Sequence, residues 1–238
     1  MQEPRPHVLV NMAMTADGKT DSVERRGARI SSDTDDARVQ RLRAESDAVL
    51  VGGRTLLAED PRLTVRPPEL VAERVGRGEA PQPMKVAIVS ELPDAPGGGL
   101  PDPSRFLSDG GGRVVVVTSG RSGDAARARL RDRGAEVVAL GRDRVDLVAG
   151  LAWLHRAGVR RLLVEGGGTL VAALLAEGLV DELRLYVAPL ILGGADAPTP
   201  VGGPGIQRGS AVELSLEDVH ADPDGGVVLR YLVTRPGA

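Results

Sequence analysis

A chain of 238 residues with 30 Lys plus Arg against 33 Asp plus Glu, a net charge of -3 and 42% hydrophobic residues holds enough apolar material for a sizeable core. The balanced charge gives nucleic acid no basic field to follow, and Phe106, Trp153, Tyr186 and Tyr231 are too few aromatics for base-stacking platforms. The absence of cysteine excludes disulfides, thiolate metal centres and cysteine nucleophiles, and His7, His155 and His220 stand apart, so no metal is expected.

The N-terminal MQEPRPHVLVNMAM opens on charged residues and lacks a secretory-type apolar core. The longest apolar run, Leu170 to Ala176, falls far below the ~18 residues that a membrane span needs. The expectation is a cytoplasmic protein.

Short β-branched runs alternate with helical patterns along the chain, the signature of an α/β sheet. Strands are expected at His7 to Ala13, Ala48 to Val51, Lys85 to Val89, Arg113 to Thr118, Glu136 to Leu140, Arg161 to Val164 and Glu182 to Val187. Two more, near Val212 to Val219 and Gly226 to Val233, read as an antiparallel hairpin. Helices fall at Thr34 to Glu45, after the capping segment Ser31-Ser32-Asp33, and at Asp124 to Arg133, Val145 to Ala157 and Thr169 to Glu177. No helix separates the last three strands, so the expected fold is a central, mostly parallel mixed sheet with an antiparallel C-terminal end, flanked by helices. A single domain spans 1–238 with its core at about 7–233, and Pro67 to Pro83 and Pro93 to Gly112 read as insertions. A Gly- and Pro-rich stretch, Pro189 to Gly209, reads as a surface link.

The chemistry concentrates where strands run into glycines. In Leu162-Leu163-Val164-Glu165-Gly166-Gly167-Gly168-Thr169-Leu170 an apolar strand meets three glycines and then a helical pattern. Glycines let backbone N–H groups approach an anion, and the helix aims its partly positive end at the same place. The clusters Gly97 to Gly99 and Gly110 to Gly112 lack a helix immediately after them and read as flexible loops. The Rossmann spacing fails because Val171 stands where the third glycine belongs, and the Walker spacing fails because Ala13 precedes Gly18-Lys19-Thr20. A second junction, Val51-Gly52-Gly53-Arg54-Thr55, offers a guanidinium and a hydroxyl for a phosphate, or a capped turn with a surface arginine. Two such junctions suggest a dinucleotide.

In Glu59-Asp60-Pro61-Arg62-Leu63-Thr64-Val65-Arg66 a carboxylate precedes a proline-fixed turn and an arginine follows, groups suited to moving a proton or holding a hydroxyl and to clamping a phosphate. Only Lys19 and Lys85 are lysine among the 30 basic residues. A chain that uses arginine so widely keeps lysine where a compact ammonium with a tunable pKa is wanted, which singles out Lys19 in Met14-Thr15-Ala16-Asp17-Gly18-Lys19.

Taken in order, MAMTADGK, SSDTDDARVQRLRAESDAVLVGGRTLLAEDPRLTVR and LLVEGGGTLVAALLAEGLVDELRLYVAPLILGG resemble the reductase domain of the riboflavin pathway, the pyrimidine reductases with a dihydrofolate-reductase-like fold. The resemblance covers about Val8 to Val233. It implies NADPH as cofactor and, as substrate, a phosphorylated ribosylamino pyrimidine whose sugar is reduced to the ribityl form. Matched position by position, it implies Thr15, Asp17, Gly52, Gly53, Arg54, Thr55, Gly166, Gly167, Gly168 and Thr169 as cofactor contacts, with Ser90 at the 2′-phosphate. Ser31, Arg43, Leu63 and Arg66 fall on the substrate side, and Lys19, Asp60 and Glu165 are the candidates for catalysis.

Glu165 also suits the start of a helix for electrostatic reasons alone. The chain lacks the cysteines of the zinc deaminase to which many bacterial members are fused, so whether reduction precedes deamination stays open. The resemblance also implies a homodimer, to which Leu183 to Leu192 could contribute as readily as it could form a buried central strand. Two alternatives are a related NADPH reductase acting on another small molecule and a non-catalytic NADPH-binding module.

Overall fold

The computed structural model describes residues 3–25 and 27–234. The chain divides into two compact units, Met1–Pro6 with Gln40–Leu163 and His7–Val39 with Val164–Ala238. Nine strands occur among the described residues, and no helix there is long and apolar enough to cross a membrane.

The first unit carries β2 (Ala48–Gly52), β3 (Met84–Val89), β4 (Val114–Thr118), β5 (Glu136–Ala139) and β6 (Arg161–Val164), in the spatial order β5-β4-β3-β2-β6. The pairs β2/β3, β3/β4 and β4/β5 are parallel. Every residue of β2 and of β4 is buried, which accounts for the continuous apolar runs AVLVG and VVVVT: a parallel strand covered on both faces has no polar side to show. Helices α2 (Gly53–Glu59), α3 (Pro68–Gly76), α4 (Arg105–Ser108), α5 (Asp124–Asp132) and α6 (Leu147–Arg156) connect the strands. Asp146 starts α6 by accepting the Ala149 amide at 2.9 Å, and Leu147, Leu151 and Leu154 form its buried stripe.

The second unit holds β1 (His7–Thr15), β7 (Glu182–Ala188), β8 (Glu213–Ala221) and β9 (Val227–Thr234) in the order β1-β7-β9-β8. β1/β7 is parallel, whereas β7/β9 and β8/β9 are antiparallel, so the sheet is mixed and its antiparallel end is C-terminal, as the sequence leads one to expect. Helix α1 (Asp33–Glu45) follows Ser32, whose hydroxyl accepts the Asp35 amide at 2.9 Å, and α7 (Gly168–Ala176) follows the triple glycine. Ile30 packs on Tyr186 and Ala188, with Ala13 and Val228 alongside.

The stretch 67–83 departs from expectation, because it contains α3 rather than only a loop. Pro68 opens that helix at a position where no N–H is needed, and Leu70 and Arg74 turn inward. Arg74 is 2% exposed and donates to the carbonyls of Ala80, Ala44 and Ser46, so a charged residue forms part of the helix's buried face. Burial, only partly opposed by Glu79, pulls its pKa below the usual arginine value. Helix α4 likewise lies inside the stretch 93–112 read as an insertion, and α2 is a further helix not among those expected; the ends of the remaining strands and helices fall within two residues of expectation.

Candidate active site

In the second unit, β1 ends in a tight turn. The Thr15 amide donates to the Lys19 carbonyl at 2.8 Å, and Gly18 supplies the φ of +78° that the turn requires. The Thr15 hydroxyl donates to Asp17 at 2.6 Å and accepts the Lys19 amide at 2.9 Å. The Asp17 carboxylate also takes the amides of Leu192, at 3.2 Å, and Gly193, at 2.7 Å. The hydrogen bond from Thr15, joined by the amides of Gly193 and Leu192, outweighs desolvation and holds Asp17 below the ordinary carboxylate value. The sequence reading gives Thr15 and Asp17 to the cofactor; in the structure their side-chain oxygens build the turn that presents the half-buried Lys19 and tie it to the segment after β7.

At the triple glycine, Gly166 has a φ of +111°, a backbone that side chains rarely adopt. Gly167 stands at the N-cap of α7, which no side chain caps. A Cβ on Gly168 would lie 2.6 Å from the Thr199 carbonyl oxygen, and the Gly202 amide donates to the Gly168 carbonyl at 3.0 Å. Gly168 is therefore demanded by the chain's own 199–202 segment. Glu165 is half-buried just before the glycines, Thr169 is exposed in the first turn, and Ser31 is half-buried ahead of α1.

In the first unit, β2 passes directly into α2 at Gly52 and Gly53. A Cβ on Gly53 would stand 3.1 Å from Val89 Cγ1 and 3.3 Å from the Ile88 carbonyl oxygen, so this glycine lets α2 start against β3. Arg54 is exposed and Thr55 half-buried.

The arm Asp60–Arg66 has no strand partner and is fastened by side chains. Gln82 accepts the Val65 amide at 2.8 Å and donates to the Val65 carbonyl at 2.9 Å. Gln40 accepts the Arg66 amide at 2.8 Å, and Arg43 donates to the Thr64 carbonyl at 3.1 Å. Leu63 is 2% exposed with φ at +51°, while the Arg66 side chain is exposed. Asp60, left-handed at φ 43° and 7% exposed, accepts the Ser104 hydroxyl at 2.6 Å and the amides of Arg105 at 2.7 Å and Phe106 at 3.1 Å. Its carboxylate thus holds the first turn of α4. The arm carries Asp60, Leu63 and Arg66 and is held at Thr64 by Arg43, and the turn after β1 joins Thr15, Asp17 and Lys19. Sequence reasoning missed Gln40, Gln82 and Ser104, for which no local signal exists.

Ser90 follows β3; its hydroxyl accepts the Val145 amide at 3.4 Å and its carbonyl accepts the Ser119 amide at 3.2 Å. Next to it, at the C-terminal ends of β3 and β4, lies a surface hollow of about 520 Å³ lined by Glu91, Leu92, Asp94, Arg121 and Asp124 among others. Arg121 pairs with Glu91 at 2.8 Å. The C-terminal edge of parallel strands is where α/β sheets bind ligands, and the volume suits a nucleoside. The uncapped glycine start of α7 separately suits a phosphate, because its first-turn amides lack side-chain partners.

The model of the RibD C-terminal domain matches residues 6–229. The chain is 43% identical, over 88% of its length and 92% of the relative's, to the 2,5-diamino-6-ribosylamino-4(3H)-pyrimidinone 5′-phosphate reductase of Archaeoglobus fulgidus. To the protein of the same name from Methanothermobacter thermautotrophicus it is 41% identical over 90% of its length and 92% of that chain. Among solved structures, a pyrimidine reductase-like protein from Corynebacterium diphtheriae superposes with a TM-score of 0.80 at 21% identity, covering 97% of this chain and 93% of that one. Acinetobacter baumannii RibD gives 0.77 at 27% identity over 97% of this chain and 58% of that one. The resemblance read from MAMTADGK, DPRLTVR and EGGGTL is thereby borne out, and the chain belongs to the RibD C-terminal domain family.

Proposed function

We propose that this chain is an NADPH-dependent reductase that converts 2,5-diamino-6-ribosylamino-4(3H)-pyrimidinone 5′-phosphate to its ribityl form. The observation that carries this reading is the 43% and 41% identity, each over about nine-tenths of the chain, to two reductases of that name. Their names specify the diamino ring, which favours reduction before deamination.

Bound NADPH supplies a hydride to C1 of the opened sugar. The chain's task is to orient the sugar and supply the proton that the exocyclic nitrogen gains as its double bond to C1 becomes single. Lys19, on its turn after β1, is the proton source, and Glu165 orients the sugar. Arg43 and Arg66 supply cationic groups and Ser31 a hydroxyl for the 5′-phosphate, with Leu63 against the ring. Asp60, whose carboxylate already holds α4, acts by fixing the arm. Gly52, Gly53, Arg54 and Thr55 with Gly166 to Thr169 serve the cofactor phosphates, Ser90 the 2′-phosphate, and Thr15 and Asp17 the shape of the Lys19 turn.

The reading includes a cytoplasmic homodimer. Supporting the dimer, edge strand β8 is exposed along its whole length, with Leu214 at 40%, Leu216 at 53% and Val219 at 54%, while Ile191 is exposed at 72%. An apolar edge of this kind is ordinarily covered.

The test is to mix purified protein with NADPH and either the diamino or the deaminated substrate and follow cofactor oxidation. Oxidation with the diamino compound is expected. Oxidation confined to the deaminated one reverses the order of steps, and binding of NADPH without oxidation in either mixture leaves a non-catalytic binder.

A further inference from the structure

The scarcity of lysine applies with more force to Lys85 than to Lys19. Lys85 sits second in β3, in register with Val49 on β2 and Val114 on β4, and is 1% exposed. Its ammonium donates to the Asp109 carbonyl at 2.9 Å and stands 5.9 Å from the centre of the Phe106 ring. Burial pulls its pKa below the 10.5 ordinary for lysine, with Asp109 and Asp60 opposing. A methionine would fill this place in the sheet without the cost of burying a charge, so packing alone does not explain the lysine.

Its single hydrogen bond supplies a reason. Residues 104–110 lie along the Asp60–Thr64 arm and touch it at three points. Asp60 holds Ser104, Arg105 and Phe106; Arg62 pairs with the Asp109 carboxylate at 2.7 Å; and Gly110 comes so close that a Cβ there would lie 2.6 Å from Thr64 Cγ2. Lys85 fastens the same segment from the core side, at the residue that carries the Arg62 pair.

We propose that Lys85 is a positioning residue for the phosphorylated pyrimidine: by holding the Asp109 carbonyl it seats residues 104–110, and through them it fixes the arm that carries Leu63 and Arg66. The inference rests on the reading above that this arm meets the substrate. It does not require Lys85 to touch any reactant.

The experiment compares the full-length chain with Lys85→Met, which keeps an unbranched side chain one heavy atom shorter and removes the donor. The expected result is a rise of about tenfold or more in KM for the diamino pyrimidine phosphate, with KM for NADPH within about twofold. Faster amide exchange over residues 60–66 and 104–110, measured without substrate, should accompany it. A folded variant with both Michaelis constants unchanged, or both raised alike, overturns the proposal.

If the variant does not fold, the wild-type enzyme gives the answer through its pH profile. The charged groups around Lys85 are Asp109 and Asp60, themselves beside Arg62 and Arg105. A neutral amine donates a weaker hydrogen bond to a carbonyl than an ammonium does, so KM for the pyrimidine phosphate should climb as pH is raised toward 10.5 while KM for NADPH stays level, and a flat profile overturns the proposal. If the wild type oxidises no NADPH at all, the proposed reaction falls. Amide exchange in Lys85→Met, or in the wild type across the same pH range if that variant does not fold, then decides the positioning role by itself.

Discussion

Gln82 holds Val65 by both ends of its amide, accepting the Val65 N–H at 2.8 Å and donating to its carbonyl at 2.9 Å. Val65 is 3% exposed, so water cannot replace either bond. A side chain here does what a neighbouring strand does in a sheet, and Gln40 repeats the device one residue on, at Arg66. Gln82→Leu should leave two buried backbone groups unsatisfied and cost about 1–3 kcal/mol in a urea titration. KM for the pyrimidine phosphate should rise more steeply than KM for NADPH. Equal effects on both would detach this arm from the substrate.

Asp60 offers a sharper separation of structural from chemical roles. Its two carboxylate oxygens face three donors, from Ser104, Arg105 and Phe106. Asparagine tolerates the left-handed backbone at φ 43°, but its NH2 would point at a donor wherever it was placed. Asp60→Asn should therefore lose about 1–3 kcal/mol of stability together with turnover. Ser104→Ala removes one donor and leaves the carboxylate, so a smaller loss of about 0.5–1.5 kcal/mol is expected. Thermal melts and turnover measured on the same preparations check both. An Asp60→Asn protein with full stability and no activity would reassign Asp60 to proton transfer.

The glycines before α7 make different demands. Gly168→Ala places a methyl 2.6 Å from the Thr199 carbonyl oxygen and 3.1 Å from the Gly202 nitrogen, both backbone atoms. The 199–202 segment must move, at a cost of about 1–3 kcal/mol, and the start of α7 should move with it and weaken NADPH binding. Gly166→Ala meets only Met12, at 3.5 Å, and is disfavoured through its φ of +111° alone. Titration of both variants with NADPH, followed by fluorescence, measures the difference. Unchanged affinity in both would remove the triple glycine from the cofactor site.

What could be read from the sequence was what neighbouring residues decide. Val114 to Val117 form a strand buried on both faces, and such runs were legible as strands, as was the passage from β6 through glycines into α7. Helix α3 was hidden because its buried face includes Arg74, whose carbonyl partners at Ala44 and Ser46 lie some thirty positions earlier. Thr15 and Asp17 entered as cofactor contacts through the resemblance alone, and their part in shaping the turn was not legible because the Asp17 partners Leu192 and Gly193 lie far along the chain. The Gln82 clamp had no local signal at all. The scarcity of lysine draws attention to Lys19 and passes over Lys85, because burial of the second residue of β3 is a property of the sheet rather than of its own segment.

The charged face of the second unit should make the protein sensitive to acid. Glu182 is 5% exposed and is reached by Arg184 Nε at 2.6 Å and Arg230 Nε at 2.8 Å. Burial pushes its pKa up, but the hydrogen bonds and charges of Arg230 and Arg184 outweigh it, and the carboxyl lies below the 4.5 ordinary for glutamate. A carboxyl depressed in the folded state stabilises it at pH above the unfolded value, and that contribution fades as pH falls through the folded one. Chemical denaturation between pH 7 and pH 3 should therefore show wild-type stability declining below about pH 4.5, with part of the decline missing in Glu182→Gln. At neutral pH that variant should lose about 1–3 kcal/mol, a range kept low because both arginines retain access to water. A Glu182→Gln protein whose acid limb matched that of the wild type would move the source of the decline to other carboxylates.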